Sequence, residues 1–171
     1  MTPELREVAV RILDQHRIMT LATNRPDGWP QATVVGYAND GLKMYCFVSR
    51  LSQKYANIAR DPRVSIAIAS DFSQPLQIKG LSLAGKAVTV TQAPEFSRAC
   101  ELFMKRYPEY ADWPRPNPAF APMLRIVPAI ISVLDYSKGF GHSDLIKIEE
   151  DELTPVGTKW DRWFGRAGRE S

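Results

Sequence analysis

Residues 49–54 read Ser-Arg-Leu-Ser-Gln-Lys, which places two hydroxyls and two cations within one short stretch. An apolar run at 42–48 precedes them and a helical pattern at 52–60 follows. Ser52 and Lys54 therefore fall in the first turn of a helix, where the leading N–H groups have no intrahelical acceptor. Hydroxyls, cations and open N–H groups gathered in this way hold an anion, a phosphate above all, through charge-assisted hydrogen bonds. A lysine in a first turn also opposes the helix dipole and gains from an anionic partner. Each residue has a plainer reading as well: Ser52 as a helix cap, Lys54 as a solvated side chain, Arg50 as the partner of a surface acid.

His142 is the other side chain of chemical interest. It lies in 136–145, Tyr-Ser-Lys-Gly-Phe-Gly-His-Ser-Asp-Leu, a polar stretch with two glycines that suits a loop able to close over a cleft. A histidine there can orient a substrate or pass a proton near neutrality, or it can simply occupy a surface turn. His16 ends the first helix, where a cation suits the dipole, and has no catalytic role assigned. With two histidines in the chain, and no carboxylates or cysteines at ligand spacing, no metal site is expected.

The elements that position these residues follow from periodicity. Thr2-Pro3-Glu4 is a helix start, and Leu5, Val8, Ala9, Ile12 and Leu13 recur at helical spacing across 3–16. Strands are expected at 18–23 and 29–37, with Arg25-Pro26-Asp27-Gly28 as the turn. Asn39-Asp40-Gly41 then makes a hairpin of 33–37 and 42–48. Asp61-Pro62 stops the helix of 52–60, and 64–69 alternates as a strand. Residues 77–91 form a long strand bent or bulged at Gly80 and Gly85. A helix over 94–107 carries Phe96, Cys100, Phe103, Met104 and Tyr107 on one face, a stripe that reads as core packing. The proline-rich 113–118 is a semi-rigid loop, 124–136 a strand with a bulge or edge at Pro128, and 145–149 a short strand. The fold class is mainly β with flanking helices, a small barrel of six or so antiparallel strands.

Composition limits the partners. The 171 residues, 44% hydrophobic and 24% charged, suit one domain with a full-sized core. A net charge of +3 and a pI near 8.9 come without a dense Lys/Arg block, so no nucleic-acid partner is supported. Cys46 and Cys100 lie far apart and are expected to be reduced. The first twenty residues carry charges throughout, and no run approaches transmembrane length, so a cytoplasmic protein without a membrane partner is expected.

The stretches LATNRPDGWPQATVVGY and DGLKMYCFVSRLSQKYANIARDPRVSIAI resemble the flavin-binding split-barrel family related to pyridoxamine 5'-phosphate oxidase. The resemblance runs in order from about residue 5 to residue 136. It implies a six-stranded antiparallel split β-barrel, a homodimer, with FMN in a cleft between subunits. It further implies that the flavin ring lies along Gln31, Ala32, Thr33 and Val34, that Phe47, Val48 and Ser49 approach the ribityl chain, and that Ser52, Gln53 and Lys54, with Arg50, hold the phosphate. Gln31 and Thr33 must point to the opposite face from Ala32 and Val34, and the sequence leaves open which pair meets a ligand.

Departures from the family pattern are equally informative. The Arg-Pro-x-x-Ser stretch of true pyridoxamine-phosphate oxidases is replaced here by ELFMKRYPEYADW. The C-terminal substrate-holding segment is replaced by GTKWDRWFGRAGRES, and a flavin-contacting glutamine would fall near Gly80. Vitamin B6 oxidation is therefore not expected, and the substrate stays open. The leading expectation is an FMN-dependent oxidoreductase of a small molecule. The alternatives are a haem- or deazaflavin-binding split barrel, or a protein that binds flavin without turnover. The barrel domain is expected over 1–150. The tail of 151–171 carries Trp160, Trp163 and Phe164 among basic residues, a stripe suited to docking on the dimer.

Overall fold

The computed structural model of the chain describes residues 3–149 and 152–157. In chain order it comprises α1 (Pro3–Gln15), β1 (Ile18–Asn24), β2 (Pro30–Gly36), β3 (Ala38–Asp40), β4 (Lys43–Phe47), α2 (Gln53–Arg60), β5 (Arg63–Ala69), β6 (Lys79–Thr89), α3 (Ala93–Arg106), β7 (Met123–Asp135), β8 (Ser143–Glu149) and β9 (Glu152–Gly157). Every described pairing is antiparallel, in the order β2-β1-β5-β6-β7-β4-β3, with β8 added on β7 and β9 on β8.

The two ends of this order, β2 and β3, are joined by Tyr37 alone. Taken as one strand bent at Tyr37, they pair with β1 through the first part and with β4 through the second, which closes a circuit of six strands. The barrel is therefore the six-stranded one expected. The hairpin is shorter than its apolar pattern suggests. Residues 38–40 pair with 43–45, while 33–36 pair with β1 instead. Alternation continues through the bend, so the pattern does not reveal it. The bend is held by hydrogen bonds: the Tyr37 N–H donates to the Arg17 carbonyl at 3.1 Å and to the Tyr107 hydroxyl at 3.0 Å.

Alternation puts Leu21, Met44, Ile66, Leu83, Ile126 and Ile131 inside the barrel, each no more than 3% exposed, and α1 caps that core with Ala9, Ile12 and Leu13. Burying each such large side chain contributes about 1.5–3 kcal/mol. A second cluster forms where α3 lays Ala99 and Cys100 on Tyr45 and Met123. Cys46 and Cys100 are both free, in different clusters.

The strand expected to bend does so at Gly85, where the β6/β7 register shifts and Ala129 is the extra residue opposite Ala84 and Gly85. A Cβ at Gly85 would lie 2.5 Å from the Val127 carbonyl oxygen. Gly80 keeps regular pairing, and its need is close approach: a Cβ there would lie 2.5 Å from the Ile68 carbonyl oxygen. Pro128 sits at the bulge, where its missing N–H costs no ladder bond.

Candidate functional site

Ser52 caps α2. Its Oγ accepts from the Tyr55 N–H at 3.3 Å and donates to the Ser49 carbonyl at 2.6 Å. The Leu51 N–H is taken by Ser49 Oγ at 3.3 Å. This arrangement leaves the N–H groups of Gln53 and Lys54 without an acceptor among the described residues. The Lys54 ammonium likewise has no hydrogen-bond or ion-pair partner among them. It is half-buried, and its charge reaches the Cys46 thiol inside the barrel. That thiol is nonetheless pushed up to about 12 by burial, so it stays neutral.

Arg50, the other cation of the motif, is engaged by the chain itself. Its Nε donates to the Ala119 carbonyl at 2.7 Å and its Nη2 to the Pro118 carbonyl at 3.0 Å. The Arg50 N–H also donates to the Phe120 carbonyl at 2.9 Å. Arg50 thus fastens the 117–122 loop to the exit of β4, and Nη1, 3.4 Å from the Tyr55 hydroxyl, is its least engaged nitrogen. Of the two cations in the motif, Lys54 is the one left for a ligand.

β2 supplies the second wall. Among the described residues it pairs with β1 alone, so there every other N–H and C=O of Gln31, Ala32, Thr33 and Val34 points from an unpaired edge. Gln31 and Thr33 turn inward and are half-buried. Ala32 and Val34 face outward, Val34 at 68% exposure. Thr33 Oγ1 is buried with no hydrogen-bond partner among the described residues, an unmet polar demand at this edge. Phe47 and Val48 lie between the loop and the barrel, with the Val48 N–H bonded to the Pro122 carbonyl.

A side chain that the periodicity does not mark holds these parts together. Asn57 is fully buried on α2, and its Nδ2 donates to Thr23 Oγ1 at 3.0 Å and to Gln31 Oε1 at 3.2 Å. Its Oδ1 accepts from Gln53 Nε2 at 2.9 Å. A polar residue inside an otherwise apolar helix face is the signal that identifies it.

His142 is not brought to this site within the chain. It follows the far end of β7, whereas the 49–54 loop lies by the near end, beside Met123. The 13 residues of β7 span on the order of 40 Å along the strand. His142 Nε2 lies 3.3 Å from Asp144 Oδ2, which also takes the Lys138 ammonium at 3.1 Å. His16 bonds the Ile12 carbonyl at 2.7 Å and Ser70 Oγ at 2.9 Å, a structural role. No group of residues able to hold a metal occurs among those described. The Trp160, Trp163 and Phe164 stripe lies outside the described residues, and β9 adds a strand at 152–157 that the tail's composition does not announce.

The α3 stripe is only partly core. Phe96, Cys100 and Phe103 pack as expected, but Cys100 and Phe103 also line, with Met104 and Tyr107, a cavity of 420 Å³ between α3 and the proline-rich loop.

A six-strand circuit whose closing strand bends at Tyr37, so that β2 and β4 do not pair, defines the split-barrel class. The profile of the pyridoxamine 5'-phosphate oxidase family matches residues 5–132, and the chain belongs to that family. Among solved structures it is similar to a haem-binding protein from Mycobacterium smegmatis, with 26% identity and a TM-score of 0.72, covering 86% of this chain and 59% of that one. It is also similar to a conserved hypothetical protein from Mycobacterium tuberculosis, with 27% identity and a TM-score of 0.65, covering 81% and 86%. General stress protein 26 of Bacillus anthracis shares the fold at 19% identity and a TM-score of 0.64, covering 85% and 99%. A comparison with curated proteins gives no significant match.

Proposed function

We propose that the chain is an FMN-binding flavoprotein, an oxidoreductase acting on a small molecule as a homodimer. The observation that carries this reading is Lys54, a half-buried cation in the first turn of a capped helix, with no counter-charge among the described residues. A terminal phosphate of about −1.5 to −2 charge supplies the missing partner. The residues present fit the cofactor: Lys54 with the N–H groups of Gln53 and Lys54 for the phosphate, the free edge of β2 and Thr33 Oγ1 for the ring, and Phe47, Val48 and Ser49 for the chain between. When bound, FMN supplies hydride transfer at its N5 atom. These residues would hold and orient it.

A second copy is supported by the outer face of the sheet. Ala22, Ser65, Ala67 and Ala69 present a small-residue surface there. Ile18 and Val34 stand on it at 60% and 68% exposure. Such a face suits a close sheet-to-sheet contact. A partner docked there completes the cleft beside β2.

Haem binding is the second reading, favoured by the Mycobacterium smegmatis relative. The test is the visible spectrum of protein purified without added cofactor, with release and identification of any bound group. Two flavin bands and released FMN are expected, and a Soret band transfers the assignment to haem. Reduction of bound flavin by NADH or NADPH faster than free FMN is expected of an oxidoreductase. Its absence with every reductant tried marks a protein that binds flavin without turnover.

A further inference from the structure

The β1–β2 turn, the end of α2 and the outer face of β5 and β6 border an open groove of 800 Å³, a volume within the range of small-molecule sites. Its lining shares no residue with the set assigned to the cofactor. Its floor, Ala22, Ser65 and Ala84, continues the small-residue face of the sheet at the end of β1 and β5 remote from Ile18 and Ala69. Side chains this short leave the surface of the sheet open to a ligand.

The charge around that floor is one-sided. Arg25, Arg60, Arg63 and Lys86 line the groove, and Asp61 is the only acid beside them among the described residues. Asp61 is already engaged: it accepts from Arg63 Nη2 at 2.7 Å and from Asn24 Nδ2 at 3.0 Å. The Arg63 guanidinium holds its carboxyl well below the usual carboxylate range. Arg25 is paired with Asp27 at 2.6 Å. Arg60 spends Nη2 on the Asn24 carbonyl at 3.0 Å, and no carboxylate meets it among the described residues. Lys86 has no hydrogen-bond or ion-pair partner among them.

The strand register adds a repulsion. Arg63 and Lys86 stand directly opposite each other on β5 and β6, both exposed. Residues so paired hold their Cβ atoms about 5 Å apart, and like charges there destabilise the sheet. Asp61 answers Arg63 and leaves Lys86 without a counter-charge. Cations on neighbouring strands, about 4.8 Å apart, match an anion whose charges repeat along a chain, because a single phosphate cannot reach them all.

We propose that this groove binds a linear oligophosphate, free or as the tail of a nucleotide, on Lys86, Arg60 and the Arg63 nitrogen that Asp61 leaves open. The site goes beyond the flavin reading and does not depend on it.

The experiment is calorimetric titration of the full chain, at low ionic strength and without divalent cations, with inorganic triphosphate, ATP and inorganic phosphate. Saturable binding of triphosphate at least about tenfold tighter than phosphate is expected, weakening as salt is added. An ATP affinity above that of triphosphate assigns a nucleotide, and one at or below it assigns the free chain. Lys86→Gln and Arg60→Gln each weaken triphosphate binding about tenfold. Lys105→Gln removes the same charge from α3, outside the groove, and changes the affinity less than about twofold. Lys54→Ala likewise leaves it unchanged, which separates this site from the loop proposed for the flavin phosphate. Absence of saturable binding, equal affinity for phosphate and triphosphate, equal losses in Lys86→Gln and Lys105→Gln, or loss of binding in Lys54→Ala overturns the proposal.

Discussion

The amide of Asn57 donates to Gln31 Oε1 at 3.2 Å, joining the helix that carries Lys54 to the strand proposed to carry the flavin ring. Because Asn57 is fully buried, every group it leaves behind on substitution stays out of water. Asn57→Leu is expected to lower stability by about 1–3 kcal/mol, through the orphaned Thr23 and Gln31 side chains. Urea denaturation checks this as a fall in midpoint at unchanged slope. At a denaturant-free temperature where the variant stays folded, its FMN affinity falls too, because α2 loses its fixed height over β2.

Arg50 and Lys54 separate by readout. Arg50 bonds carbonyls of the 117–122 loop, so Arg50→Ala loosens that loop and costs about 1 kcal/mol. Hydrogen exchange at Phe120 and Ala121 should quicken in this variant. The dependence of FMN binding on the phosphate group should persist, because Lys54 remains.

These two cations show where sequence reading stops. The loop, the cap and the helix are local, and local patterns announce them: hydroxyl before helix, alternation before loop, Asp-Pro after. Ser52 indeed caps α2, and Lys54 has no hydrogen-bond or ion-pair partner among the described residues. Arg50 is spent on carbonyls 68 and 69 positions away, a contact that no spacing encodes. The bend at Tyr37 was hidden for the same reason, since it depends on Arg17 and Tyr107 closing around one N–H. Periodicity counts apolar positions and so does not mark Asn57. The α3 stripe serves as both core and cavity wall, and ring spacing describes the two alike.

The bulge gives a stability prediction. Gly85→Ala drives a methyl group to 2.5 Å from a backbone oxygen that β6/β7 pairing holds in place. The strands must part, at a cost of about 1–3 kcal/mol. Thermal unfolding should show a clear drop in Tm. Gly28→Ala meets nothing within 4 Å and is strained only by its φ of +86°, so its loss is smaller.

Alkaline pH should weaken the fold through acids that burial keeps neutral. Cys46 is raised from 9.0 to about 12 by burial. Tyr45 is raised from 10.0 to about 12 by burial and then by its bond to Glu95. An acid with a raised folded pKa ionises first in the unfolded chain. Stability is therefore level below about pH 9 and falls as pH rises toward 12. Cys46→Ala should flatten the early part of that fall, relative to its own value at pH 8. In the native protein at pH 8 the Cys46 thiol should not react with a thiol reagent, and it should do so in urea.

The central claim is that Lys54 holds the phosphate of FMN. It is tested most directly by titrating FMN and riboflavin, which differ by that phosphate, into apoprotein of wild type and Lys54→Ala. Wild type is expected to bind FMN at least about tenfold more tightly than riboflavin. The variant should lose most of that gap while its riboflavin affinity stays the same. Equal affinity for the two flavins in wild type, or a gap that survives in the variant, would contradict the account.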